Sequence, residues 1–320
     1  MIKFFLKTAL ISLCCLTIAQ AQIVDDKFAQ IDEWLPTPNS YRTASGAPGH
    51  AYWQNEADYV MDIELDDKNQ IIYGRQTVTY HNFSPDQLTY LWLQLDQNIR
   101  AKDSDRFKTQ QSKIKQSVTA RTLDKLNPDF EGGFRIVSVT GDQGEKLDFI
   151  INRTMMRISL NKPLRPGESI RFHTKWWYNI NDRMEVGGRS GYEYFSDDDN
   201  YLYTIAQFYP RMCMYSDVHG WQNKQFLGRG EFTLSFGDYD VKITVPEDHL
   251  VASTGLLQNP DKVLTPQQQA RMDQARNSFI EPVLIATERE ARARERKHLN
   301  GVKTWHFKAD RVRDFAFASS

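Results

Sequence analysis

The sequence predicts a mainly β protein, an antiparallel β-sandwich-like domain with a late helical insertion. Three observations predict it. Aromatic residues make up 12% of the 320 residues and recur with β-branched ones in short runs that alternate with polar positions. Between most of these runs lie tight-turn signals rather than helical patterns. Helix-capping signatures appear only after residue 260.

The elements follow in order. Lys3 and Lys7, the apolar run Thr8 to Ala19 and the small-x-small end Ala19-Gln20-Ala21 have the form of a signal peptide over residues 1–21, cleaved near Ala21. The protein is therefore expected to be exported, periplasmic or secreted. No small residue precedes Cys14 or Cys15, which argues against a lipoprotein anchor. Residues 22–50 carry Pro and Gly without periodicity and read as an extended arm. Tyr59 to Leu65, Ile72 to His81 and Leu88 to Leu95 predict an antiparallel meander, and residues 98–132 a long polar loop with one weak helix.

Strands resume at Phe134 to Thr140, Leu147 to Asn152, Met155 to Leu160 and Ser169 to Tyr178, with turns at 141–144 and at Pro166-Gly167. A third set is expected at Tyr201–Tyr209, Gly230–Phe236 and Tyr239–Val245. Thr265-Pro266-Gln267-Gln268 is an N-cap with Pro at the first helical position and a capping-box glutamine; Thr287 with Glu290 repeats the device. These place a helical insertion at about 265–299. A last strand, Lys303–Phe307, leads to Phe315-Ala316-Phe317-Ala318, an apolar alternation that reads as the edge of a longer reading frame.

The charge balance excludes some partners. Forty Lys and Arg against 41 Asp and Glu leave a net charge of −1, so there is no basic footprint for nucleic acid. No apolar run of about eighteen residues follows the N-terminus, so no membrane span is predicted. Chemistry is sparse as well. The seven histidines never form HExxH, so no metal site is predicted, and there is no G-x-S-x-G elbow. Gly187-Gly188-Arg189-Ser190-Gly191 lies between strands and reads as a hairpin rather than a phosphate loop. Ser196 to Asn200 reads as a hydrated turn. Cys213, between Met212 and Met214, reads as a small buried hydrophobe.

Three segments carry a resemblance. They are Leu202–Met212 (LYTIAQFYPRM) with Gly220–Gln222; Phe236–Pro246 (FGDYDVKITVP) ending in Ala252–Gly255; and Thr304–Phe307 with Val312–Ala316. In this order and spacing the chain, over residues 50 to 320, resembles the N-terminal domain of zinc aminopeptidases of the aminopeptidase N family, gluzincins related to leukotriene hydrolase. The resemblance implies a saddle-shaped β domain over 51–320 and a catalytic zinc domain that lies beyond Ser320. It implies zinc and peptide substrates for the full-length parent, and no catalytic residue, metal ligand or bound zinc in this chain, which alone should be inactive.

Gln207 matches the glutamine that the family sends toward the substrate's free amine. An amide suits that place, because it accepts from an ammonium and adds no charge. Tyr209 and Arg211 follow as further substrate-binding candidates. The stretch Phe208 to Asp217 departs from the family's acidic and double-arginine pattern, which puts side-chain preference and these two roles in question. The implied function is the substrate wall of an exported aminopeptidase. The alternative is a stand-alone exported β-sandwich binding module, with Trp176 and Trp177 as an aromatic platform.

Overall fold

The computed structural model describes residues 38–109, 117, 119, 129–228, 233–295 and 301–320. The expected signal peptide lies outside them, as does the arm up to residue 37. Two units are distinguished, residues 1–50 and 51–320. In the first, residues 38–50 form a small loop. Asn39 Oδ1 accepts from the Tyr41 and Arg42 N–H groups, Gly46 turns at φ 81°, and a bridge joins Arg42 to Pro48.

The second unit is built from strands. In chain order they are β1 (Glu56–Asp66), β2 (Ile71–His81), β3 (Leu88–Gln94), β4 (Arg135–Gly141), β5 (Phe149–Asn152), β6 (Met155–Leu164), β7 (Ser169–Asn179), β8 (Gly191–Phe195) and β9 (Asn200–Ile205). There follow β10 (Arg211–Met212), β11 (Tyr215–Ser216), β12 (Gly220–Trp221), β13 (Gly237–Pro246), β14 (Val251–Ser253), β15 (Leu256–Leu257), β16 (Val302–Val312) and β17 (Phe317–Ser319). A seven-stranded sheet has the order β15-β16-β13-β1-β2-β7-β4, and two four-stranded sheets run β10-β3-β6-β5 and β14-β17-β9-β8; β11 and β12 form a small ribbon.

The expected strands form because alternation places one apolar face inward. β1 buries Ala57, Tyr59, Met61, Ile63 and Leu65 and turns Glu56, Asp58, Val60, Asp62, Glu64 and Asp66 outward. One core joins residues of all three large sheets, among them Ile63 and Val78, Leu91 and Ile158, and Tyr203 and Phe317. Gly74 makes room within it, since a Cβ there would stand 2.1 Å from the Trp176 ring.

Several details differ from the sequence reading. β1 pairs with β13 in parallel, Tyr59 opposite Tyr239 and Ile63 opposite Ile243, among otherwise antiparallel ladders. The strand expected over Tyr201–Tyr209 stops at Ile205, where the backbone turns left-handed at Gln207. No strand forms over 233–236, and residues 230–232 lie outside the described set; the Phe236 carbonyl accepts from the Ala57 N–H as the chain enters β13. Trp176 is no surface platform: it is buried, 5.4 Å from the Phe134 ring and 6.1 Å from Tyr178. Trp177 faces Tyr73 and the Arg135 guanidinium instead.

The polar stretch after β3 opens with a 3₁₀ turn, Asp96–Arg100, and a short helix α1 (Asp105–Thr109). The insertion contains α2 (Pro260–Val263), α3 (Pro266–Arg276) and α4 (Glu288–Glu295). Its first helix precedes the expected start at residue 265, and residues 296–300 lie outside the described set. Thr265 and Gln268 form the expected reciprocal capping box.

Candidate functional site

The site is built where β9 ends. Gln207 has φ 53°, a left-handed conformation that a residue with a side chain adopts at a cost. The surroundings hold it there. The buried Gln97 amide donates to the Gln207 carbonyl at 2.9 Å and to that of Ala206 at 3.4 Å, while the Ala206 N–H donates to Ser190 Oγ at 3.3 Å. Arg100 ties both supports together, giving Nη1 to Gln97 Oε1 at 2.7 Å and Nη2 to the Ser190 carbonyl at 3.3 Å. Burial lowers its guanidinium to about 10. The glycine-rich segment read as a hairpin is seated on this arginine: a Cβ on Gly188 would meet Arg100 Nη2 at 2.4 Å.

Beyond Gln207 the chain is anchored in the core. Phe208 packs edge-on against Phe317 at 5.4 Å and Trp176 at 6.4 Å. The Tyr209 hydroxyl donates to Asp314 Oδ1 at 2.9 Å and lies 2.9 Å from the Tyr239 hydroxyl, and burial pushes its ionisation well above the ordinary range. Arg211 makes a two-pronged contact with Asp96, Nε to Oδ2 at 2.9 Å and Nη2 to Oδ1 at 2.8 Å, and gives Nη1 to Asp314 Oδ2 at 2.6 Å. Burial alone would lower this guanidinium, and the two carboxylates more than reverse that.

The three sequence-predicted residues therefore sit close in the chain but differ in position. Tyr209 and Arg211 are buried and spend their polar atoms on Asp96, Asp314 and Tyr239. Gln207 is partly exposed, and among the described residues its side chain has no hydrogen-bond partner. The sequence reading missed Gln97, Arg100, Ser190 and Asp96. The first two fall in a stretch without periodicity, where the one signal is the Gln97–Arg100 spacing of three, which places them together on a helical turn.

Among the described residues no three His, Cys, Asp or Glu side chains gather as a ligand set, so these residues do not fit a zinc ion. Cys213 is buried with its sulfur 3.9 Å from Met155 Sδ, and burial raises its thiol above the ordinary range. Asn82, in a glycosylation sequon, is buried and bonds to the carbonyls of Asp86 and Leu164.

No family model matches the chain, and no curated protein matches it. Solved structures of M1 zinc metallopeptidases do show a distant similarity. A mutant enzyme from Deinococcus radiodurans bound to a Tyr-Ser-Ala substrate has 14% identity and a TM-score of 0.41 over 83% of this chain and 42% of its own. A two-domain mutant M1 zinc metallopeptidase bound to L-tryptophan gives 14% and 0.41, over 86% and 44%. The unmutated Deinococcus radiodurans enzyme gives 14% and 0.39, over 85% and 43%. The chain thus spans less than half the length of these structures.

Proposed function

We propose that residues 51–320 are the N-terminal β domain of an exported zinc aminopeptidase, and that Gln207 presents its amide to the free amine of a peptide substrate. The observation that carries the reading is the contrast at the end of β9. Gln207 is held in a costly backbone conformation by buried groups, yet its own side chain remains unengaged. The three segments that resemble the aminopeptidase N family support it, since that resemblance matches Gln207 to the family's substrate-facing glutamine. In this reading a catalytic domain encoded beyond Ser320 would hold the zinc, which would supply the activation of water there. The described residues bind and orient: the Gln207 amide oxygen accepts from the substrate ammonium, and Arg100, Gln97 and Ser190 fix the turn that aims it.

The test begins with the coding frame after the Ser320 codon, expected to run on into HExxH with a distal glutamate. In that full-length enzyme Gln207→Ala should lower kcat/KM on an aminoacyl reporter about tenfold or more, chiefly through KM, with an unchanged melting temperature. A stop codon directly after Ser320 would remove the enzyme reading and leave the exported binding module in its place. Full activity of Gln207→Ala would remove the role given to the glutamine.

A further inference from the structure

Between the helical insertion, the β14-β17-β9-β8 sheet and β16 lies a cavity of about 1290 Å³, beyond the ~300–1,000 Å³ usual for small-molecule sites. α3 packs over it loosely, for Gln268 is the buried residue among its eleven. Met272, Ala275 and Ile285 line the cavity from the insertion, and Leu257, Trp305 and Phe307 from β15 and β16. Water finds few hydrogen bonds against such walls, so an apolar occupant is favoured there.

Most polar groups of the lining are already engaged. Asp67 and Asp199 accept from the hydroxyls of Tyr203 at 2.6 Å and Tyr194 at 2.8 Å, and Asp198 lies 4.0 Å from the Arg292 guanidinium. Arg276 gives a guanidinium nitrogen to Asp273 at 3.0 Å. His249 is bonded to Ser319 Oγ at 2.8 Å.

Two groups differ. On α4, Ala291 and Arg294 stand three residues apart on one face of the helix, and both line the cavity. Arg294 Nη1 is shielded from water and has no hydrogen-bond partner among the described residues. The same is true of Trp305 Nε1, on a side chain only 2% exposed. Both groups are donors alone, so what each lacks is an acceptor, and a shielded cation suffers most from the lack. Lys303, two residues before Trp305 on the same face of β16, brings a second cation to this end. Burial first, and then the Arg294 charge, hold its ammonium below the ordinary lysine value, against the pull of Glu247 and Asp248.

We propose that this cavity binds an elongated apolar molecule with a carboxylate head, its body beneath α3 and its head on the Arg294 guanidinium. A carboxylate offers that guanidinium two acceptor oxygens and the missing negative charge. Two sources share the chemistry, a fatty acid and an apolar peptide with a free C-terminus.

Calorimetric titration of the purified protein with decanoate, N-acetyl-trileucine, methyl decanoate and decyltrimethylammonium tests the proposal and separates the sources. One-to-one binding is expected for at least one of the two acids, about tenfold or more tighter than for the ester or the cation; the tighter acid identifies the source. Arg294→Met should weaken acid binding about tenfold or more and leave that of the ester in place. Its unfolding midpoint should be no lower than the parent's, since the guanidinium has no partner to lose. Ala275→Trp, which fills the cavity, should weaken acid and ester alike, and it keeps the proposal testable if Arg294→Met does not fold. Absence of saturable acid binding, equal binding of the ester or the cation, or an unaltered acid affinity in either folded variant would overturn the proposal.

Discussion

Arg211 joins the 3₁₀ turn, β10 and the segment before β17 through a single guanidinium, and Asp96 beneath it is wholly shielded from water. Arg211→Met removes the cation and leaves that carboxylate unpaired, so the unfolding free energy should fall by about 3–5 kcal/mol in urea titration. Replacing Asp96 by Leu in the same chain should restore much of the loss, because no charge then remains buried alone. Gly74→Ala presses a methyl group into Trp176 and should cost about 1–3 kcal/mol, with a changed near-ultraviolet signal from that ring. The sequence placed Gln207, Tyr209 and Arg211 together but could not tell which of them faces outward. In an unbroken strand all three would share the buried face of Tyr203 and Ile205. The left-handed turn at Gln207 resets that alternation, and residues 208–213 are all buried. A positive φ at a glutamine leaves no mark in composition or period.

The insertion shows which kinds of element can be read locally. Thr265 with Gln268 and Thr287 with Glu290 are reciprocal caps whose partners lie three residues apart, so the sequence contains the whole interaction. β15 and α2 are too short to carry a period, and both were missed. Glu290 also closes the insertion. The bond from Arg271, and then those from Thr287, hold its carboxyl down at about 2, against an ordinary 4.5. An acid whose ionisation is easier in the folded chain stabilises above its unfolded value, and that contribution disappears as pH falls through the folded one. α4 amides should therefore lose hydrogen-exchange protection between about pH 4.5 and pH 2, while the central sheet keeps its own. Glu290→Gln should show the weaker protection already at neutral pH. Unchanged exchange in either case would mean that α4 is held by other contacts.

At the scale of the whole molecule, neighbours in sequence were legible and distant partners were not. The β1–β2 hairpin follows from alternation and a turn between the strands, and β5–β6 from two apolar runs two residues apart. The β1–β13 pair brings together residues 180 apart in the chain, such as Asp58 and Asp238, and no local pattern announces a parallel partner so far away. β1 is central, with β13 and β16 beyond it supplying Val241, Ile243, Trp305 and Phe307 to the core. A fragment of residues 51–236 should accordingly fail to fold, seen as a non-cooperative urea transition and a collapsed proton spectrum. A sharp two-state transition for that fragment would show that the first strands form a core by themselves.

During synthesis β1 leaves the ribosome long before β13 exists, and for that interval its hydrogen-bonding edge stands open. Five of the six residues it turns outward, Glu56, Asp58, Asp62, Glu64 and Asp66, are carboxylates. Two nascent copies pairing edge to edge through β1 would bring these rows of like charge together, which disfavours the pairing. Its proper neighbours set Arg75 on one side and Lys242 on the other directly opposite Asp62. The strand repels its own likeness while it waits and is relieved of that repulsion when β2 and β13 arrive.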